Sequence, residues 1–323
     1  MSTTAPAALV IGTHTWSPDN YDKAKSIVEA ARQHGISVLD TARSYGRGGS
    51  ETVLGSLGLY SDFSIDTKIP TGFMPGAAGN IENLAKESFA ALKSNRVRTL
   101  FLHGADETVP FSDQMAEIQK LYSEGHFERF GLSNFTLSQL LDLVNVAKSK
   151  GYILPTVYQS SYSVVARQNE VLLFPTLRAL GICIEAFSPL AAGFLAKTPN
   201  DIEKGHGSWD ASTPMGRFNR DLFYKPTYMQ LLHQFSRIAQ ECQESQSGLA
   251  YRWVRYHSVL DGNLGDSMIL GAATCEQLNE TLAELDKGPL EPYLVQRISD
   301  LWEIVKHEEP VDNLKSAQRV FQA

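Results

Sequence analysis

Four side chains that could carry out acid–base chemistry stand at or just beyond the ends of three predicted strands: Asp40, Tyr45, Lys68 and His103. A free tyrosine titrates at about 10, so it keeps its proton at neutral pH, and an adjacent ammonium lowers that value. Lys68 could act on Tyr45 in this way while Asp40 holds Lys68 by charge pairing. His103 could donate a hydrogen bond to a carbonyl oxygen. Such a set would protonate an oxygen while a hydride, which only a cofactor can supply, reaches its carbon.

Each of the four residues also has a purely structural interpretation. An aspartate after a strand often caps a helix, a lone lysine is usually solvated, and a lone histidine usually has its partners inside the fold. Tyr45 lies in a glycine-rich loop, where it could simply pack. The joint placement favours catalysis, because the active site of a barrel lies where strands end and βα loops begin.

The periodicity of apolar residues predicts eight strands, at residues 8–12, 37–40, 63–69, 97–103, 127–133, 155–158, 182–188 and 267–272. It predicts helices at residues 22–33, 51–57, 81–93, 112–124, 137–148, 171–180, 228–240, 249–257 and 275–284. Strands that alternate with helices pair in parallel, either in an open doubly wound sheet or in a closed barrel. The count of eight favours an α/β fold of the (β/α)8 TIM barrel type. No linker divides the chain, so one domain of residues 1–323 is expected.

Two segments lie outside the eight repeats. The stretch after strand 7, from Pro189 to about Pro226, is rich in Gly, Pro, Ser and Asn and predicts a long loop without secondary structure. Such loops are often functional lids, and a disordered surface excursion is the alternative. Residues 290–307 predict an extra C-terminal helix on the flank of the barrel.

Composition argues against several classes of partner. The 323 residues carry a net charge of −7 and no Lys/Arg block, so neither nucleic acid nor an anionic membrane surface is an expected partner. Three cysteines without CxxC spacing indicate a reducing compartment. The N-terminus lacks a signal peptide pattern and no run of about 18 apolar residues occurs, so the protein is expected to be cytoplasmic.

Two other catalytic classes fit the sequence poorly. The glycines at positions 46, 48 and 49 lack the GxGxxG order of a dinucleotide-binding loop and follow the second strand instead of the first. The eight histidines are scattered without an HxH pair, so no metal site is expected.

Ordered motifs along nearly the whole chain resemble the aldo-keto reductase superfamily and, within it, the aflatoxin aldehyde reductase branch. The motifs are LDTARSYGRGGSETVLG (39–55), IDTKI (65–69), LFLHGAD (100–106), GLSNF (131–135), VYQSSY (157–162), RQNEVLLFPTLRALGICIEAFSPLAAGFL (167–195) and ILGAATCEQLNETLAELDKGPLEP (269–292). The resemblance implies reduction of an aldehyde or ketone to an alcohol, with a hydride from NADPH and a proton from Tyr45. It implies a small-molecule carbonyl substrate, in a biosynthetic or detoxification pathway, and allows a homodimer.

The resemblance also implies a role for each matching residue. The catalytic set would be Asp40, Tyr45, Lys68 and His103. Contacts with the nicotinamide would come from Ser133, Asn134, Gln159 and Phe187. Contacts with the pyrophosphate would come from Ser188, Leu190 and Gly193, and contacts along the adenosine end from Gly271, Thr274, Gln277 and Glu280. Substrate contacts would come from Trp16, Tyr45 and His103, with the aromatic residues Trp209, Phe218 and Phe223 of the predicted loop. Aromatic walls suit apolar or aromatic aldehydes.

Two departures from the family pattern concern the cofactor. Relatives commonly carry Arg where Thr274 stands and Asn where Thr281 stands, and a cation would bind the 2′-phosphate of NADPH. NADPH is favoured and NADH stays an alternative. Replacement cations in the predicted loop would be Lys197, Arg217 or Arg220, unless these are merely solvated. A non-catalytic NADP(H)-binding regulatory or sensor protein is the rival interpretation, as is a reductase devoted to one complex intermediate.

Overall fold

The computed structural model describes residues 4–310 and 313–321, and its core is a closed barrel of eight parallel strands. The strands are β1 (Ala8–Gly12), β2 (Val38–Asp40), β3 (Ser64–Ile69), β4 (Val97–Leu102), β5 (Phe127–Ser133), β6 (Val157–Ser161), β7 (Cys183–Phe187) and β8 (Ser267–Gly271). Each strand pairs with the next, and β8 pairs with β1 to close the ring. The predicted (β/α)8 TIM barrel is confirmed.

Helices surround the barrel and bury their apolar faces against it. They are α1 (Tyr21–Gln33), α2 (Gly49–Leu57), α3 (Ile81–Leu92), α4 (Phe111–Ser123), α5 (Leu137–Lys150), α6 (Asn169–Leu172), α7 (Phe174–Ala179), α8 (Pro199–Lys204), α9 (Pro214–Phe223), α10 (Pro226–Cys242), α11 (Gln246–His257), α12 (Cys275–Asp286), α13 (Pro292–Asp300), α14 (Trp302–Val305) and α15 (Asn313–Phe321).

The parallel register brings the chemically active strand ends to one edge of the barrel. Asp40 on β2 lies opposite Asp66 on β3, and Lys68 lies opposite Phe101 on β4. Ser133 on β5 lies opposite Gln159 on β6. Inside the barrel, the ring of Phe101 packs with Val157 and Cys183.

The segment after β7 is largely helical, so the prediction of a loop without secondary structure is wrong. It contains α8 and α9 together with short 3-10 helices at Phe194–Ala196 and Gly207–Trp209. The residues that suggested a loop are helix caps: Thr198 and Thr213 are N-caps that accept hydrogen bonds from backbone N–H groups, and each precedes a proline. Serine and threonine at an N-cap followed by proline favour a helix start.

Aromatic packing holds this helical segment to the rest of the molecule. The ring of Phe194 lies 5.7 Å from that of Trp209, 6.0 Å from that of Phe223 and 6.1 Å from that of Tyr228. Because Trp209 and Phe223 are buried in this cluster, they anchor the segment and leave little ring surface for a substrate.

The C-terminal region also differs from the single helix predicted at residues 290–307. It forms α13 and α14, and α15 follows. The helix α15 packs against α9, and its Leu314 lies against Gly72 and Gly104 in the loops after β3 and β4. The side chain of Gln318 donates to the carbonyl oxygen of Gly72 at 3.0 Å. This part of the chain therefore covers one side of the strand ends.

Smaller differences have local causes. The helix predicted at 171–180 is divided into α6 and α7 at Leu173, because Pro175 has no N–H to donate and its ring would clash with the carbonyl group four residues earlier in a continuous helix. The sixth strand runs over Val157–Ser161 instead of residues 155–158.

Candidate active site

An ion pair between two strands forms the centre of the site. The Nζ atom of Lys68 lies 2.7 Å from each carboxylate oxygen of Asp40 and donates to the carbonyl oxygen of Thr41 at 2.8 Å. Both charged side chains are almost fully enclosed, with 1% and 4% exposed for Lys68 and Asp40. The prediction that Asp40 holds Lys68 by charge pairing agrees with this geometry.

A sharp turn after β2 brings a phenol to this pair. Tyr45 opens a short 3-10 helix, Tyr45–Gly48, in which Gly46 and Arg47 both have φ of 56°. Gly48 has φ of 87°, a backbone conformation that residues with a Cβ adopt only at a cost, so glycine is favoured there. The hydroxyl of Tyr45 lies 3.4 Å from Nζ of Lys68. The glycine cluster thus shapes the turn that carries Tyr45.

A histidine completes the group from the end of β4. The backbone N–H of His103 donates to the carbonyl oxygen of Ile69 at 3.0 Å, which fixes the histidine beside β3. Its Nδ1 lies 3.4 Å from Oγ of Ser44, and its ring lies 5.8 Å from the ring of Tyr45. A hydroxyl proton from Ser44 on Nδ1 would leave Nε2–H as the donor towards a ligand.

The electrostatics assign a protonation state to each group. Burial and the charge of Lys68 hold the pKa of His103 well below its usual value, so the imidazole is neutral at pH 7. Burial opposes the charge on Lys68, but Asp40 and Tyr45 outweigh it and raise the pKa of Lys68, which stays an ammonium.

Lys68 acts on the pKa of Tyr45 in the expected direction, but the net shift is upward. Burial raises the pKa of Tyr45, and the neighbouring charge of Lys68 lowers it by less. Burial of a phenol disfavours its charged form. The sequence alone did not show how deeply Tyr45 would be buried. Tyr45 therefore holds its proton at neutral pH, as a proton donor must.

Three residues predicted to contact the cofactor lie beside this group. Asn134, with φ of 55°, donates through Nδ2 to the carbonyl oxygen of His103 at 2.8 Å and to Oγ of Ser133 at 3.1 Å. Nε2 of Gln159 donates to Oδ1 of Asp40 at 2.6 Å and to Oε2 of Glu185 at 3.1 Å. The N–H groups of Gln159 are thus engaged by carboxylates, and its oxygen is the atom suited to a cofactor amide.

His14 and Trp16 both follow β1 but have different surroundings. His14 faces Tyr45 edge-on with ring centroids 4.8 Å apart. Burial among neighbouring atoms and the charge of Lys68 lower its pKa. Trp16, predicted to contact substrate, is only 2% exposed and packs in the core.

Sequence reasoning missed three parts of this region. The helix α15 covers one side, and a cavity of about 320 Å³ beside Asn134 and Gln159 is bordered by Asn313 and Lys315. Two carboxylates inside the barrel, Asp66 and Glu185, were also overlooked. A charged residue within an otherwise apolar strand, as in ICIEAF and FSIDTKI, is the signal that could have found them.

The family model for aldo/keto reductases matches residues 8–303. The chain belongs to the aldo/keto reductase family. Oxidoreductase sirO of Leptosphaeria maculans is 38% identical over 301 residues, which cover 93% of this chain and 91% of that protein. Aflatoxin B1 aldehyde reductase member 4 of Homo sapiens is 33% identical over 303 residues, with 88% and 90% covered.

A solved structure shares the fold. The glycerol dehydrogenase of Gluconobacter oxydans superposes with a TM-score of 0.71 at 20% identity, over 94% of this chain and 93% of that one. Family membership makes the protein an oxidoreductase that uses a nicotinamide cofactor and acts on small-molecule carbonyl compounds.

The loop after β7 in this aldo/keto reductase has a backbone suited to a cofactor phosphate. Left-handed conformations recur within six residues: φ is 56° at Ser188, 50° at Ala191, 57° at Ala192 and 83° at Gly193. Side chains other than glycine adopt this region at an energetic cost, and such strain collects at functional sites. Phe187, at the end of β7, and Leu190 are half-buried and border the same loop. The residues therefore fit the pyrophosphate role implied for Ser188, Leu190 and Gly193.

The start of α12, where the family resemblance places the adenosine end of the cofactor, carries negatively charged side chains. Gly271 is exposed at the end of β8, where a Cβ would meet nothing within 4 Å. Thr274 is the N-cap of α12 and accepts from the backbone N–H of Gln277 at 3.3 Å. Glu276 and Glu280 place negative charge on the first two turns, and the pKa of Glu276 is lowered by hydrogen bonds from its own backbone and from Thr274.

Two of the other residues considered for cofactor choice have structural partners. The guanidinium of Arg220 donates to the carbonyl oxygens of Trp209 and Ile202, at 2.9 and 2.8 Å. It therefore ties α9 to α8. Thr281 hydrogen-bonds with Tyr251.

Within residues 4–310 and 313–321, no group of three or more His, Cys, Asp or Glu side chains is arranged to hold a metal ion. In the same described part of the chain, no helix combines the length and apolar character needed to cross a membrane.

Proposed function

We propose that this protein reduces an aldehyde or ketone to an alcohol with NADPH, and that Tyr45 donates the proton. The observation that carries the proposal is the 3.4 Å approach of the Tyr45 hydroxyl to the buried ammonium of Lys68. A phenol that loses its proton there becomes a phenolate next to a fixed cation, which stabilises the charge that develops during the reaction.

Each of the remaining residues has a separate role in the proposed reaction. The nicotinamide cofactor supplies the hydride. Neutral His103 donates its N–H to the carbonyl oxygen and holds the substrate, while Tyr45 transfers its proton to that oxygen. Lys68 stabilises the phenolate, and Asp40 keeps Lys68 charged and in place. His14 and Phe73 border the space beside Tyr45 and His103, with ring centroids 4.8 and 4.5 Å away, so a flat apolar or aromatic aldehyde suits the pocket.

NADPH is proposed over NADH on the strength of the family resemblance, although Thr274 offers no cation for the 2′-phosphate. Arg220 is tied to backbone carbonyl oxygens and Arg217 donates to the carbonyl oxygen of Ser212 at 3.2 Å, so Lys197 is the one of the three candidate cations that we propose for that role. A homodimer, a cytoplasmic location and a single domain of residues 1–323 stay predictions from the sequence.

The proposal is tested by following NADPH oxidation with 4-nitrobenzaldehyde in wild type and Tyr45→Phe. Loss of one general acid lowers turnover by about 10²–10⁴-fold. NADPH binding, measured by quenching of protein fluorescence, should persist in the variant. Tyr122→Phe is the matched control, because its ring is exposed on α4, far along the chain from the group. A repeat with NADH measures the cofactor preference.

Two other outcomes would revise the proposed mechanism or function. Equal turnover in wild type and Tyr45→Phe would remove Tyr45 from the mechanism. Tight NADPH binding by wild type without turnover of several aldehydes would favour a sensor protein or a reductase with one complex substrate.

A further inference from the structure

The interior of this barrel contains charges where apolar side chains usually fill the space. Asp66 on β3 and Glu185 on β7 are both buried. Arg98 on β4 pairs with both: its Nε lies 2.8 Å from Oδ1 of Asp66, its Nη2 contacts Oδ2 of Asp66, and the same Nη2 lies 3.2 Å from Oε1 of Glu185. Buried ion pairs contribute little net stability, so stability alone does not account for these charges in the core of a barrel.

A single amide joins these charges to the catalytic group. Nε2 of Gln159 donates to Oε2 of Glu185 at 3.1 Å and to Oδ1 of Asp40 at 2.6 Å. Asp40 in turn holds Lys68, whose Nζ faces the hydroxyl of Tyr45. An unbroken chain of polar contacts thus runs from Arg98 through Glu185 and Gln159 to the catalytic group.

We propose that Glu185 is a positioning residue: it holds Gln159 against Asp40, so that the negative charge of Glu185 acts through Asp40 and Lys68 on the hydroxyl of Tyr45. The inference rests on the proposed function, since it assigns Glu185 a part in the proton donation by Tyr45. Glu185 itself does not reach the reacting atoms.

Charges from several strands surround Glu185. Asp40, Asp66, Arg98 and Arg129 act on it from β2, β3, β4 and β5, and the thiol of Cys183 lies on its own strand. Burial and the like charge of Asp66 raise the pKa of Glu185 to about 7. Glu185 therefore loses its proton and gains its negative charge near neutral pH. When present, this charge disfavours the phenolate of Tyr45; when absent, the phenolate is favoured.

A second buried glutamate provides a matched control. Glu51 on α2 is as enclosed as Glu185, pairs with an arginine (Arg43, 3.3 Å) and accepts a hydrogen bond from Thr67 at 2.6 Å. Within the described part of the chain, Glu51 interacts with Arg43, Thr67 and Ser88, none of which belongs to the chain of contacts from Arg98 to Tyr45. A general effect of losing a buried carboxylate appears in both variants, and a positioning effect appears only at Glu185.

The experiment compares Glu185→Gln with Glu51→Gln. The ionisation of Tyr45 is read in the cofactor-free protein from the ¹³Cζ NMR signal of labelled tyrosine, assigned with Tyr45→Phe. We expect Glu185→Gln to lower the pKa of Tyr45 by about half a unit, because one negative charge is removed. The alkaline limb of the kcat profile should move to lower pH by the same amount. Glu51→Gln should leave both unchanged.

A measurement on wild type keeps the test independent of variant folding. If Glu185 acts on Tyr45, the ¹³Cζ signal of Tyr45 shifts in a step near pH 7. The step should persist in His14→Leu, which removes the adjacent imidazole as its source.

Absence of the step, or equal shifts in Glu185→Gln and Glu51→Gln, overturns the positioning role. A step in the NMR signal of a wild-type protein that turns over none of several aldehydes would support the link between Glu185 and Tyr45 and would separately favour a sensor protein or a reductase with one complex substrate.

Discussion

Lys68 and Asp40 form an ion pair in which Nζ is equidistant, at 2.7 Å, from both carboxylate oxygens. The pair lies on neighbouring strands and is shielded from water, so each charge depends on the other. Removal of one partner leaves an uncompensated charge in the barrel, whereas removal of both leaves two neutral side chains. Stability and activity should therefore respond differently to single and double substitutions.

Lys68→Met should lower the free energy of unfolding by about 3–5 kcal/mol, because Asp40 is left buried without its partner. Asp40→Asn/Lys68→Met should recover most of that loss and yet remain inactive, since no cation then faces Tyr45. Urea unfolding and NADPH oxidation measure the two effects. A double variant that is as unstable as the single variant would contradict the assignment of the loss to an unpaired Asp40.

Glu185 predicts a pH dependence of stability. The pKa of Glu185 is about 7 in the folded protein, whereas an ordinary glutamate has a pKa of 4.5. Between pH 4.5 and pH 7 the folded protein therefore keeps a proton that the unfolded protein has lost. The free energy of unfolding should therefore fall, by about 3 kcal/mol, as pH rises from 4.5 to 7.

Glu185→Gln has no proton to lose, and its stability should fall less over this range. Urea unfolding at half-unit pH intervals compares the two proteins. Curves that run parallel from pH 4.5 to 7 would show that Glu185 titrates normally.

Gly55 in α2 tests how the helices pack on each other. A Cβ at this position would lie 2.1 Å from the carbonyl oxygen of Ala91 in α3. Helix propensity alone favours alanine over glycine by about 1 kcal/mol, but the clash requires the two helices to separate.

Gly55→Ala should thus destabilise the protein by about 1–3 kcal/mol in urea unfolding. Ser56→Ala, on the exposed side of the same helix, should be neutral or slightly stabilising. A gain in stability from Gly55→Ala would mean that α2 and α3 leave room for a methyl group between Gly55 and Ala91.

The ends of the strands could be predicted because apolar runs are visible in the sequence and polar residues interrupt them. Asp40, Lys68 and His103 were placed correctly on adjacent strands in this way. Tyr45 was harder to place, because its position depends on a turn with left-handed backbone at Gly46, Arg47 and Gly48.

Other features depend on contacts between residues that are distant in sequence. Gln159 bonds to Asp40 and Glu185, which lie 119 and 26 residues away, so the engagement of its amide could not be read locally. The helices α8 and α9 were missed because Thr198 and Thr213, with the prolines that follow, resemble loop residues although they cap helices. In the first case a tertiary contact determined the structure, whereas in the second the signal was local but is shared by loops and helix starts.

The charges at the start of α12 predict how the cofactor preference can be changed. Glu276 lies in the first turn, where the helix dipole attracts anions and where the resemblance places the adenosine end of the cofactor. A carboxylate there repels a 2′-phosphate and has no such effect on the 2′-hydroxyl of NADH. Glu276→Gln should therefore tighten NADPH binding by about three- to tenfold and leave NADH binding unchanged.

Fluorescence quenching titrations with both cofactors measure the effect, and NADH acts as the internal control. Because the interaction is between exposed charges, 0.5 M NaCl should remove most of the difference between the variant and wild type. Thr274→Arg should add to the gain, since a cation at the N-cap can pair with the phosphate. Equal changes in the affinity for NADPH and NADH would mean that the 2′-phosphate does not lie at this helix.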